Sequence, residues 1–124
     1  MAHLINWFEI PAVNIERAAQ FYGKVFESPV EVTDFHGVKM GFFTGNETDE
    51  IGGAVVEHTD YTPSATDGPL VYLNGGQDLT EMLNKAKTAG AEVVQEKTLI
   101  SPEIGYMALF LDSEGNRIAI HSPE

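Results

Sequence analysis

Asn6-Trp7-Phe8-Glu9-Ile10-Pro11, continuing through Asn14-Ile15-Glu16-Arg17-Ala18 to Phe21-Tyr22, is the stretch whose reading decides the fold. Residues 5 to 11 alternate, with Phe8 and Ile10 on one face and Trp7 and Glu9 on the other, as a half-buried strand does. Pro11 ends that alternation. Asn14 then stands where a helix cap belongs, and Ile15, Ala18, Ala19, Tyr22, Val25 and Phe26 recur at helical spacing until Glu27-Ser28-Pro29. A helix with one apolar face needs a sheet to cover.

Outward from this block, Glu31 to Phe35 and Val38 to Phe43 flank His36-Gly37, a hairpin turn, and Ile51 to Glu57 follows a polar loop containing Gly45-Asn46. Thr59 to Gly68 has the Pro, Ser and Gly content of a connector, and Pro69 to Asn74 is the next expected strand. The order then repeats. Asp78 and Glu81 have capping-box spacing, Leu79, Met82, Leu83 and Ala86 form an apolar stripe, and Gly90 suits a helix C-cap. Strands are expected at Glu92 to Lys97, Tyr106 to Leu111 and Asn116 to His121, with Gly115 in the last turn at the positive φ of a short hairpin loop. The expectation is an α+β chain, a single domain over residues 1–124, with one βαβββ module over about residues 4–58 and a second over about 68–122. Pairing two such modules into a curved mixed sheet would leave a concave inner surface beneath outer helices, while periodicity alone also permits an ordinary α+β sandwich.

A chain of 124 residues with 43% hydrophobic content can bury a core without staples, and cysteine is absent, which excludes disulfides, thiolate nucleophiles and Cys-based zinc sites. The net charge of −12 repels phosphate backbones and anionic lipid, so neither nucleic acid nor membrane is an expected partner. No signal-peptide pattern opens the chain and no apolar run is long enough to span a bilayer, so the expected location is cytoplasmic. Gly75-Gly76 is too short a signal for a phosphate loop, and no nucleotide cofactor is expected.

The opening block and its late counterpart Phe110-Leu111-Asp112-Ser113-Glu114-Gly115-Asn116-Arg117-Ile118 together resemble the opening and closing of a vicinal oxygen chelate domain, the superfamily of glyoxalase I, bleomycin-resistance proteins and extradiol dioxygenases. That resemblance implies a glyoxalase/bleomycin-resistance fold, an open cleft between modules and a homodimer. In metal-dependent members, His and Glu side chains of the first, fourth, fifth and eighth strands converge on a divalent ion. The matching positions here are Trp7, Glu57, Leu70 and Ala119, of which only Glu57 has a ligating atom. No cofactor is therefore expected, metal-dependent glyoxalase I or dioxygenase chemistry is not carried over, and a divalent ion at Glu57 with unusual partners such as Glu9 and His121 is kept as the alternative.

Inward positions are expected to be Trp7, Leu70, Tyr72, Tyr106, Phe110 and Ala119, a set suited to an organic small molecule, with Asn74 as an amide contact. Glu9 shares a face with Trp7 and His121 with Ala119, which makes them the candidate acid–base pair of a lyase or isomerase. The plainer reading is an exposed imidazole near the chain end and a carboxylate accepting local hydrogen bonds. His58 faces away from Glu57, and His3 and His36 are expected at the surface. Arg17 is expected to form a structural salt bridge near Glu16 and Glu27, and Leu99 to Gly105 to act as an adjustable cover. Ligand binding leads; the rivals are the lyase or isomerase and a structural or regulatory dimer whose cleft is filled by its own side chains.

Overall fold

The structure is a computed structural model describing residues 4–43 and 51–124. His3 and the Gly45-Asn46 loop lie outside the described residues. The element order is β1 (Trp7–Ala12), α1 (Ile15–Phe26), β2 (Glu31–Phe35), β3 (Val38–Phe43), β4 (Gly52–Glu57), β5 (Val71–Asn74), α2 (Thr80–Thr88), β6 (Glu92–Ser101), β7 (Gly105–Leu111) and β8 (Arg117–Ser122). This is the expected βαβββ order occurring twice.

Each module forms its own four-stranded sheet, β1-β4-β3-β2 and β5-β8-β7-β6. The first strand of each pairs parallel with the fourth, and the remaining neighbours are antiparallel. The identical order in both halves is the repeat that residue identities conceal. In the first hairpin His36 and Gly37 both adopt positive φ, 54° and 90°, as a two-residue loop matched to strand twist requires.

Helix α1 starts where the sequence places it, since the Asn14 side chain accepts a hydrogen bond from the Arg17 backbone N–H at 3.0 Å. It ends at Glu27, which takes a left-handed conformation at φ 51°. Helix α2 departs from the expected capping box. Its cap, Leu79, has no side-chain acceptor of its own, and its N–H donates to Ser122 Oγ on β8 at 2.9 Å. Asp78 instead accepts from the Thr80 N–H and from Lys97 Nζ, each at 2.9 Å, and these bonds hold its carboxyl at about 2. Glu81 faces Lys85 one turn on.

Both helices cover the same core. Ile10, Ala12 and Val55 of the first sheet and Leu73, Ala108, Phe110, Ile118 and Ile120 of the second pack with Ile15, Phe21 and Tyr22 of α1, with Leu83 and Ala86 of α2 and with its cap Leu79. Phe21 and Phe110 place their ring centroids 6.0 Å apart across the modules. Burial of this apolar surface is the main stabilising term, so neither half would be stable with its face uncovered. The expected cover over 99–105 is not a loose loop: β6 runs to Ser101, and a tight turn through Ile104 leads into β7.

Candidate functional site

Side chains alternate across a strand, so the residues packed beneath the helices identify the opposite, open face of each sheet. On the second sheet Tyr72 pairs with Ala119, Asn74 with His121, Met107 with His121 and Leu109 with Ala119, which puts all six on the open side. Tyr106 and Phe110 belong to the other face, contrary to expectation. Phe110 is fully buried in the core, and Tyr106 packs against that core with Lys97 Nζ 4.6 Å from its ring centroid. Ala119 faces the open side but is fully buried, so it offers no surface to a ligand.

The open side of the second module holds a groove of about 610 Å³ lined by Tyr72, Leu73, Asn74, Ile100, Ile104 and His121. Tyr72 and Ile104 stand half-exposed at its walls. His121 Nε2 lies 2.6 Å from the Ile104 carbonyl oxygen, a contact in which the oxygen accepts and Nε2 donates, leaving Nδ1 turned away from it. Asn74 uses its side-chain oxygen to accept from the Gly76 N–H at 2.9 Å, and among the described residues its amide NH2 has no partner. Leu70 is half-buried just before β5. Three of the residues singled out from sequence, Tyr72, Asn74 and His121, are thus brought together.

On the first sheet the open face carries Trp7 and Glu9 of β1, Ala54 and Val56 of β4, and Met40 and Phe42 of β3. Glu9 accepts from Trp7 Nε1 at 3.2 Å and from the Tyr61 hydroxyl at 2.5 Å. The bond to Glu9, reinforced by burial, raises the Tyr61 phenol pKa above its ordinary value. Glu9 and His121 are therefore engaged with different partners on different sheets rather than with each other. Trp7 lies against Gly52, where an added Cβ would come within 2.9 Å of the indole. Phe35 and Phe42 complete the aromatic surface, and neither they nor Tyr61 were singled out from sequence; the adjacent Gly52-Gly53 within a strand was the available sign of close side-chain approach.

Glu57 turns toward the helices. It shares a face with Ala12, its parallel partner, and its Oε1 accepts from the Ile15 N–H at 2.8 Å at the start of α1, with Lys39 Nζ 3.8 Å from Oε2. Of the four positions implied by the superfamily, Trp7, Leu70 and Ala119 carry no ion-binding atom and the fourth caps a helix, so these residues do not fit a shared divalent ion. Among the described residues no three His, Cys, Asp or Glu side chains gather in one place. His58 Nδ1 accepts from the Asp60 N–H at 3.1 Å, and His36 is exposed.

A buried polar cluster joins the modules where the sequence suggested only a turn. Tyr22 donates to Asp112 Oδ2 at 2.6 Å, and Asn116 donates to Asp112 and to the Pro11 carbonyl. Burial is the largest influence on Asp112 and raises its pKa against the lowering effect of those hydrogen bonds. Glu114 Oε1 receives the Val13 and Asn14 N–H groups at 2.8 Å each, and Arg17 binds it with both Nε and Nη2. For Glu114 burial again acts most strongly and upward, but the Arg17, Asn14, Val13 and Ser113 donors together outweigh it and leave the pKa lowered. Arg17 is thus structural as expected, with Glu114 as partner in place of Glu16 or Glu27.

Two βαβββ modules that share a helix-side core and leave their sheet faces open define a paired-module α+β protein. Residues 4–120 match the Glyoxalase/Bleomycin resistance protein/Dioxygenase superfamily. A glyoxylase-like domain-containing protein of Didymella fabae is 30% identical over 120 residues, covering 94% of this chain and 91% of the relative. A glyoxalase/bleomycin resistance protein from Albidiferax ferrireducens superimposes with a TM-score of 0.67 at 14% identity over 95% of this chain and 97% of its own. A glyoxalase I mutant from Zea mays gives 0.74 at 12% identity over 94% of this chain, which spans 44% of the maize chain. The chain belongs to the Glyoxalase/Bleomycin resistance protein/Dioxygenase superfamily. No described helix is long and apolar enough to cross a membrane.

Proposed function

We propose that the protein binds an organic small molecule in the groove of its second module and does so without the divalent ion of the metal-dependent members. The observation that carries this reading is the convergence of Tyr72, Asn74 and His121 with Ile100 and Ile104 around about 610 Å³, a volume of small-molecule size. Tyr72 and the two isoleucines supply apolar walls, and the Asn74 amide and His121 imidazole supply a few polar contacts that orient a ligand. The donor set at the superfamily's metal positions supports metal independence.

The probe is Nile red, a neutral flat dye. Its fluorescence is expected to rise saturably with the parent protein and to need at least about tenfold more protein in Tyr72→Ala, as loss of an aromatic wall implies. Equal titrations of the two proteins would overturn the groove, and stoichiometric nickel or zinc binding to purified protein would overturn metal independence. Exposed side chains on the edge strands β2 and β6, Val32 and Val94, favour pairing of two copies, which sedimentation velocity reads as a dimer or a monomer.

A further inference from the structure

We infer that the open face of the first sheet is a second binding site, for a small organic cation such as a quaternary ammonium group, separate from the groove beside Tyr72 and His121. Trp7 and Phe42 place their ring centroids 6.0 Å apart at 56°, and Phe35 and Phe42 stand 5.7 Å apart at 89°. Rings in tilted or edge-to-face contact of this kind leave an open corner in which two ring faces meet one rounded group, where parallel rings would present a flat surface. Trp7 remains 42% exposed and Phe35 46% exposed, so their faces are available from solvent. Ring faces carry the negative end of the aromatic quadrupole and attract a cation within about 6 Å of the centroid.

Charge on this face has one sign. Among its described residues β1 contributes Glu9 and β2 contributes Glu31, which stands opposite Phe42 in the register, and no Lys or Arg projects there. Lys39 of β3 points to the other face, toward Glu57. Among the described residues the partners of Glu9 are two neutral donors, the Trp7 indole and the Tyr61 hydroxyl, which fix the carboxylate in place beside the rings without supplying a positive charge. An ammonium group meets a carboxylate and aromatic faces together, whereas an anion meets repulsion from Glu9 and Glu31 and a neutral group gains only the apolar contact.

Trp7 is the single tryptophan of the chain, so its emission reports on this face directly. Choline is titrated against 3,3-dimethyl-1-butanol, its neutral carbon analogue, at constant ionic strength. A saturable change with choline and at least about tenfold weaker binding of the alcohol is expected from the charge dependence of ring attraction. Glu9→Gln is expected to weaken choline about fivefold, and Phe35→Leu, an exposed change that leaves the core untouched, is expected to narrow the preference for the cation. Tyr72→Ala should titrate with choline as the parent does. Equal binding of the two compounds, no saturable change, parental affinity in both Glu9→Gln and Phe35→Leu, or loss of choline binding in Tyr72→Ala would each overturn the proposal. The Nile red titration is read at the other sheet, so either site can fail while the other stands.

Discussion

At the Pro11 end of β1 the polar groups are buried and partnered, whereas at the Trp7 end aromatic rings stand open and a carboxylate is held by two neutral donors. The Pro11 carbonyl, the Val13 and Asn14 N–H groups, Tyr22, Asp112, Glu114 and Asn116 satisfy one another, and no buried side-chain nitrogen or oxygen among the described residues lacks a partner. A saturated network of this kind fixes how the modules sit but has nothing left to offer a ligand. The open faces have the opposite character: Ala54, Val56 and Ala119 are buried there, but Trp7, Phe35 and Tyr72 keep ring surface exposed to solvent. Stability and binding are therefore expected to separate cleanly on mutation.

The strongest way to break that separation is Phe110→Ala. If Phe110 lined the cleft, its loss would weaken binding and spare the fold; packed against Phe21 in the core, it should destabilise by about 3–5 kcal/mol in a denaturant titration. A loss below about 1 kcal/mol would put this ring back in the cleft.

Adjacent glycines on β4 test the same division at closer range. A Cβ at Gly53 would meet the Phe8 ring at 2.5 Å on the helix side, and one at Gly52 would meet the Trp7 indole at 2.9 Å on the open side. Phe8 is stacked on Phe43, so Gly53→Ala should cost about 1–3 kcal/mol by overpacking. Trp7 has solvent to move into, so Gly52→Ala should cost less while shifting tryptophan emission. Equal costs would mean that Trp7 is as tightly held as the core.

The element order was legible because alternation and helical spacing are local properties, and Ile15 to Phe26 or the His36-Gly37 turn need no distant contact to be recognised. The facing of β7 was not. Tyr106-Met107-Ala108-Leu109-Phe110-Leu111 is apolar throughout, so no alternation marks its two sides, and only pairing of Met107 with His121 decides which residues look into the groove. Glu57 was misplaced for the same reason, at the end of the apolar run Gly52 to Val56. The polar clamp rests on bonds between residues 90 and 101 positions apart, such as Tyr22 to Asp112 and Val13 to Glu114, for which a single chain gives no local sign.

The clamp also predicts a pH dependence. Glu114 has a folded pKa below its ordinary 4.5, so its contribution is present above that value and is lost as pH falls through the lower folded one. Asp112 runs the other way: its raised pKa means the folded state binds the proton more tightly, so its contribution is largest in acid and fades as pH rises through the folded value. Glu114→Gln keeps the shape but loses the charge received by Arg17 and two backbone donors, and should cost about 1–3 kcal/mol near neutral pH. The gap between parent and variant should narrow as pH falls below the ordinary 4.5 of a glutamate and through the lower folded value, as the parent's own carboxylate takes up its proton. A gap independent of pH would show that Glu114 acts through shape alone.

The smallest expected stability change belongs to His121, and it is the sharpest probe of the open side. His121→Ala removes the bond to the Ile104 carbonyl and leaves that oxygen, at a half-exposed turn, free to bind water. Global stability should move by no more than about 0.5 kcal/mol, because water replaces the lost donor at little cost. Local order should move more. The turn from Ser101 to Gly105 would keep the bond from the Ile104 N–H to Ser101 Oγ at 3.1 Å but lose its tie to β8, so amide exchange at Ile104 and Gly105 should quicken while exchange in α1 stays unchanged. Exchange accelerating equally in α1 would mean that this edge of the groove is continuous with the core and that the two regions are not independent after all.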